Sequence, residues 1–209
     1  MKKTIVLVVL FVLPLVVYMF FASGVTNFGR LPVLTEQVGE LDVFTGDARL
    51  DGNITILGFP GRDNPSGKGN AFNLNQKIYK PFYEFTDFQV VMVLPEGQEE
   101  FVAELKKELG ALVDINQWEF VYGTPEEIEE FFQSLRTDLQ LDASGATPYV
   151  FIVDKERKLR GRKNDDDTGT KYGFNTSSVA DLNNKMKDDV KIILAEYRLA
   201  LKKNQAVRK

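Results

Sequence analysis

The stretch Pro60-Gly61-Arg62-Asp63-Asn64-Pro65-Ser66-Gly67-Lys68 comes nearest to a chemical loop, because glycines and a lysine after a strand can cradle phosphate. Its spacing excludes that use. A phosphate loop needs four residues between its glycines and Ser or Thr after the lysine, whereas here five residues separate Gly61 from Gly67 and Gly69 follows Lys68. The composition reads as turns. The run Asp165-Asp166-Asp167-Thr168-Gly169 has the oxygen donors of a hard-cation site. It departs from a calcium loop at Gly169 and reads better as a solvated loop, with cation binding left open. Methionines 1, 19, 92 and 186 are too scattered for a thioether copper site. No Gly-x-Ser-x-Gly or Ser-x-x-Lys motif positions a nucleophile. Glu126, Glu127, Glu129 and Glu130 follow Pro125 and read as the solvated, dipole-favoured start of a helix.

Two absences bound the chemistry further. The 209 residues include no cysteine and no histidine. Thiol redox chemistry needs a thiolate, and soft-metal sites need thiolate or imidazole. The reading is therefore of a non-enzyme with no cofactor. A net charge of -4 and an isoelectric point near 5.1, without a basic stripe, argue against nucleic-acid binding.

The N-terminus points to a compartment. Lys2 and Lys3 precede 19 uncharged residues, Thr4 to Ala22, which as a helix reach about 28 Å. Ala22-Ser23-Gly24 offers a small-residue cleavage site, but the run is longer than the apolar part of most signal peptides, so an uncleaved anchor over 1–24 is favoured. The flanking lysines place its N-terminus inside and the rest on the extracytoplasmic side of the cytoplasmic membrane. Without Lys2 and Lys3 the chain carries 24 basic and 30 acidic residues, a net -6.

Residues 25–40 read as a tether in which Leu31-Pro32-Val33-Leu34 can form an edge strand, 41–203 as the domain, and 204–209 as a polar tail. Strands are expected over Asn53–Phe59, Phe88–Leu94 and Trp118–Tyr122. Helices are expected over Asn70–Glu84, kinked or shortened at Pro81, and over Glu99–Leu109 and Pro125–Leu135. Pro148–Asp154 and Lys158–Arg162 read as a hairpin, followed by a helix over Val179–Lys202 with a capping box at Ser178 and Asp181. Its stripe of Leu182, Met186, Val190, Ile193, Tyr197 and Leu201 reads as core.

This order is that of a thioredoxin fold, an α/β class, here with an N-terminal single transmembrane helix. Several motifs carry a closer likeness. Ile56-Leu57-Gly58-Phe59 resembles the strand before the Cys-x-x-x-Cys loop of the SCO/SenC copper chaperones, and Val93-Leu94-Pro95-Glu96 resembles their strand ending in Asp-Pro-Glu. Trp118 to Ile128 resembles their Trp, Gly and acidic helix start, and Tyr149 to Asp154 with Leu159-Arg160-Gly161-Arg162 resembles their closing hairpin. The departures fall on the ligands: Pro60 to Lys68 stands where the cysteines belong, and Ala146 where the histidine belongs. Arg62 is a permanent cation in that loop and repels a metal ion. Thr147-Pro148 resembles the cis-proline site of the thioredoxin superfamily, with an ordinary turn into a strand as the alternative.

The resemblance implies a degenerate member of the family: a membrane-anchored protein acting by protein binding, an accessory factor in assembly of a respiratory oxidase or other envelope complex. Its partners would be oxidase subunits or an active, cysteine-bearing paralogue. The alternative is a permanent structural subunit of a membrane complex. Candidate partner contacts are Arg62, Asp63, Asn64, Thr147 and Pro148, on two loops expected to converge.

Overall fold

The computed structural model describes residues 10–19, 29–62 and 64–207, with side chains through Ala200. Residues 10–19 form a helix, α1, within the expected anchor; the rest of that 1–24 segment lies outside the described residues. Among the described residues no helix is long and apolar enough to cross a membrane.

The apolar, β-branched segments become the centre of a seven-stranded sheet. Its order is β1 (Val33–Thr35), β6 (Leu159–Arg160), β5 (Ala146–Val153), β2 (Ile54–Pro60), β3 (Phe88–Pro95) and β4 (Trp118–Gly123), with β9 (Phe174–Asn175) also paired to β5. β2, β3 and β4 are parallel, while β5 runs antiparallel to β2 and β6. Successive side chains on β2 and β3 enter opposite cores, which accounts for their unbroken apolar runs. Ile56, Val90 and Met92 pack with Leu74, Leu105, Met186 and Val190 on one face. Leu57, Val91 and Val93 pack with Ile128, Phe131, Phe132 and Leu50 on the other.

The helices differ from expectation mainly at their ends. α2 (Gly67–Leu74) passes through a π-helical turn, Asn75–Tyr79, into the short α3 (Lys80–Phe82). Pro81 has no N–H and its ring crowds the carbonyl four residues back, and the wider π turn before it absorbs the misfit. Asn75 in that turn is fully buried, and neither atom of its side-chain amide has a hydrogen-bond partner. α4 (Glu99–Gly110) forms where expected and buries Val102, Leu105 and Leu109. α5 (Pro125–Ser134) starts on a capping box, which corrects the reading of Glu127 as part of a solvated face: it is half-buried and turned back onto the helix start. Thr124 N donates to Glu127 Oε2 at 2.8 Å and Glu127 N donates to Thr124 Oγ1 at 3.3 Å.

At the last helix only half of the expected box forms. Ser178 Oγ accepts from Asp181 N, but the Asp181 carboxylate accepts from Asn175 N and pairs with Lys171. α6 (Val179–Asp181), a second π turn (Leu182–Met186) and α7 (Lys187–Val207) run on from there, burying Leu182, Met186, Val190 and Ile193. The helix continues through residues 204–207, which read as tail; 208 and 209 lie outside the described residues.

Two further expectations need correction. Leu31 and Val38 are buried and β1 pairs with β6, so the globule begins within the supposed tether. The Asp165 run is not simply a solvated loop: it joins β7 (Arg162–Asp165) to β8 (Gly169–Lys171), and Asp165 is buried. Lys185 Nζ donates to both Asp165 oxygens at 2.8 Å and to Asp167 at 2.6 Å. A lysine ammonium thus stands where a bound cation would. These bonds push the Lys185 ammonium up to about 12. Burial alone would raise the Asp165 carboxyl, but the Lys185 bonds and the Asp167 amide hold it below its ordinary value.

Candidate functional site

At the carboxyl end of β2 the chain meets the amino end of β5, and Pro60 pairs with Ala146 across a bulge. Gly61 makes that approach possible. Its φ is +73°, and a Cβ there would lie 2.5 Å from the Ala146 Cβ, so a side chain fits neither the backbone nor the space. The next residue seals the two loops, Arg62 N donating to Ser144 O at 2.9 Å. The expected convergence of Pro60–Lys68 with Ala143–Pro148 is therefore present in the backbone.

Each loop carries its own brace. Asn64 Nδ2 donates to Pro60 O at 3.1 Å, and Asn64 Oδ1 accepts from Ser66 N at 3.0 Å, closing the turn that delivers α2. Opposite, Asp142 Oδ1 accepts from Ser144 N at 2.8 Å, Ser144 Oγ at 2.6 Å and Ala146 N at 2.9 Å. The Ser144 hydroxyl and the Ala146 amide hold the Asp142 carboxyl below its ordinary value. Asp142 braces the candidate site and is not singled out by the sequence reading, although Asp-Ala-Ser-Gly is a turn signal.

The converged loops present two surfaces. Arg62 Nη2 donates to Glu96 O at 2.9 Å, which lays the guanidinium across the end of β3. There it lines a cleft of about 460 Å³ with Pro95, Pro125, Glu129, Asp142 and Ser144. On the other side Asn64, Thr147, Met92 and Ala71 line a space of about 30 Å³, room for a single water. The predicted residues therefore divide: Arg62 belongs to the cleft, whereas Asn64 and Thr147 belong to the small pocket. Thr147 is buried, and Pro148 is exposed within β5 with its carbonyl accepting from Thr176 N and Oγ1. Asp63 lies outside the described residues. No cis peptide bond occurs among the described residues, so the cis-proline likeness at Thr147-Pro148 is not upheld, and the alternative of a turn into a strand shifts, since both residues already lie within β5. Lys68 turns from the loop to pair with Glu104 and Glu108 of α4 at 3.0 and 2.8 Å, away from the position of a phosphate-loop lysine.

No protein-family model matches the sequence, and no curated protein matches it. Solved structures do. BsSco, a member of the Sco family of cytochrome c oxidase assembly proteins with a disulfide switch, superposes with a TM-score of 0.51 at 15% identity over 78% of this chain and 97% of its own. A protein from Bacteroides thetaiotaomicron assigned as a disulfide isomerase gives 0.51 at 12% identity, covering 78% and 94%. A protein from Aquifex aeolicus assigned to electron transfer gives 0.50 at 16%, covering 76% and 97%. The chain has the thioredoxin-like fold that Sco-family structures share.

Copper does not fit the residues at this face. Around the converged loops the donors are a guanidinium, amides, hydroxyls and carboxylates already engaged, with the Met92 thioether the one soft atom among the described residues. Among the described residues no three His, Cys, Asp or Glu side chains group to hold an ion. A single thioether is not a copper site.

Proposed function

We propose that this chain is a non-catalytic, membrane-anchored thioredoxin-like protein that acts by binding another protein through the converged loops. Its role on this reading is accessory, in assembly of a respiratory oxidase or another envelope complex. The observation that carries the reading is a braced active-type face on a chain without cysteine or histidine. Gly61 lets the two loops approach, the Arg62 N to Ser144 O bond joins them, and Asp142 braces one of them beside the Arg62 cleft, although no thiol chemistry can follow. The apolar run over Thr4–Ala22 supports an anchor that places this domain on the extracytoplasmic side.

The test is affinity capture of the full chain from mild-detergent membranes, with mass spectrometry of partners and metal analysis. Expected are oxidase subunits or a cysteine-bearing paralogue in less than fixed proportion, without stoichiometric copper, and their loss from an Arg62→Ala, Asn64→Ala variant. Undiminished capture by that variant removes the structural basis. A partner held in fixed proportion through purification would move the assignment to a permanent subunit.

A further inference from the structure

We propose that the C-terminal end of α7 is a second membrane contact that docks on anionic lipid headgroups. This rests on the anchored reading above. α7 belongs to the core only as far as Tyr197: Ile193 and Leu194 are buried, whereas Arg198, Leu199 and Ala200 are exposed. The helix nonetheless continues to Val207, about 15 Å beyond Tyr197. Among the described side chains core packing ends at Tyr197, the side chain of Leu201 lying outside them, and helices of this length draw most of their stability from packing.

Charge changes sign at the same point. From Arg198 onward the sequence has five Lys or Arg and no Asp or Glu, whereas residues 4–197 carry 19 basic and 30 acidic residues, a net -11. The net-acidic body of the domain is repelled by an anionic surface, whereas this end is drawn to it. Leu199, 40% exposed, adds an apolar side chain beside the cations.

Position supplies the third observation. Gly29 and Arg30 line a cleft of about 690 Å³ with Tyr197, Leu199 and Ala200, and Arg30 Nε lies 4.0 Å from Glu196. The chain that leads back to the anchor thus leaves beside the exposed end of α7. Only residues 23–28 separate the apolar run from Gly29, and fully extended they span at most about 21 Å. That reach is an upper bound, and a shorter path over residues 23–28 lets the start of the basic extension, beside Gly29, come within the roughly 8 Å over which surface charge acts at physiological salt. The Glu196 carboxylate is engaged by Arg160 and does not cancel the basic end.

The absence of cysteine makes the test clean, since Gln205→Cys gives one labelling site. The full-length labelled protein is reconstituted in bilayers of phosphatidylcholine with or without phosphatidylglycerol, and quenching by a headgroup nitroxide is read. Expected is quenching at least about twofold stronger in the anionic bilayer, reversed by salt and by Lys202→Glu with Lys203→Glu at equal incorporation. Equal quenching in both bilayers, or quenching indifferent to the charge reversal, overturns the proposal. Alkaline extraction separates the two readings. Release from membranes defeats the anchor, while salt-sensitive binding of the released protein to phosphatidylglycerol vesicles would still support the α7 contact.

Discussion

Arg160 shows how far a single side chain holds this domain together. Its Nε donates to Leu31 O at 2.8 Å, Nη1 to Asp154 at 2.8 Å and Nη2 to Glu196 at 2.6 Å, joining the N-terminal segment, the β5–β6 hairpin and α7. The Asp154 side chain is only 1% exposed, so Arg160→Ala strands a buried carboxylate and should cost about 3–5 kcal/mol in urea unfolding. A loss under about 1 kcal/mol would mean that water replaces the guanidinium. Asp142 acts more locally. Because its folded carboxyl is held below its ordinary value of 3.8, its contribution is complete above that value and is lost as pH falls through the lower, folded one. Amide signals of Ser144 and Ala146 should be unchanged between pH 8 and about 5, and should lose protection only below about 4. Asp142→Ala should remove that step and cost about 1–2 kcal/mol. At this scale the sequence marks Arg62 and Asn64 but not their division between two surfaces, since that depends on where β3, α5 and α2 end.

Among the elements, the central strands and most helices are legible because they bury whole faces. Ile54–Pro60 is apolar on both sides since both sides are covered, and α5 repeats its apolar residues at helical spacing. The β7–β8 hairpin is not legible. Its Arg-Lys-Asn-Asp strand has no apolar alternation and is held by Lys185, which lies in a different element. The π turns leave no periodic signature either. Thr124→Ala should cost about 1 kcal/mol by removing the α5 cap, read as a shift in the urea midpoint. Asn75→Leu runs the other way. Replacing a buried amide without partners by an apolar side chain should raise stability by about 1 kcal/mol. A loss on that substitution would reveal an internal water bound to Asn75.

The whole molecule has a direction. The Arg62 cleft sits where β2 and β3 end and β5 begins, whereas Asp154 marks the other end of β5, near Arg160 and Glu196 of α7. With no cysteine in the chain, its melting temperature should be the same in oxidising and reducing buffers, and a redox-dependent shift would contradict a fold held without disulfides. The geometry of β1 also governs how the domain bears tension. Any pull transmitted through residue 29 arrives at a strand of three residues on the edge of the sheet, secured by Gly161 N to Pro32 O and by the Arg160 bond to Leu31 O. That edge should therefore act as a mechanical fuse, peeling before β2, β3 and β5 bear the load and leaving the converged loops in shape, which force spectroscopy would read as a first short extension ahead of global unfolding.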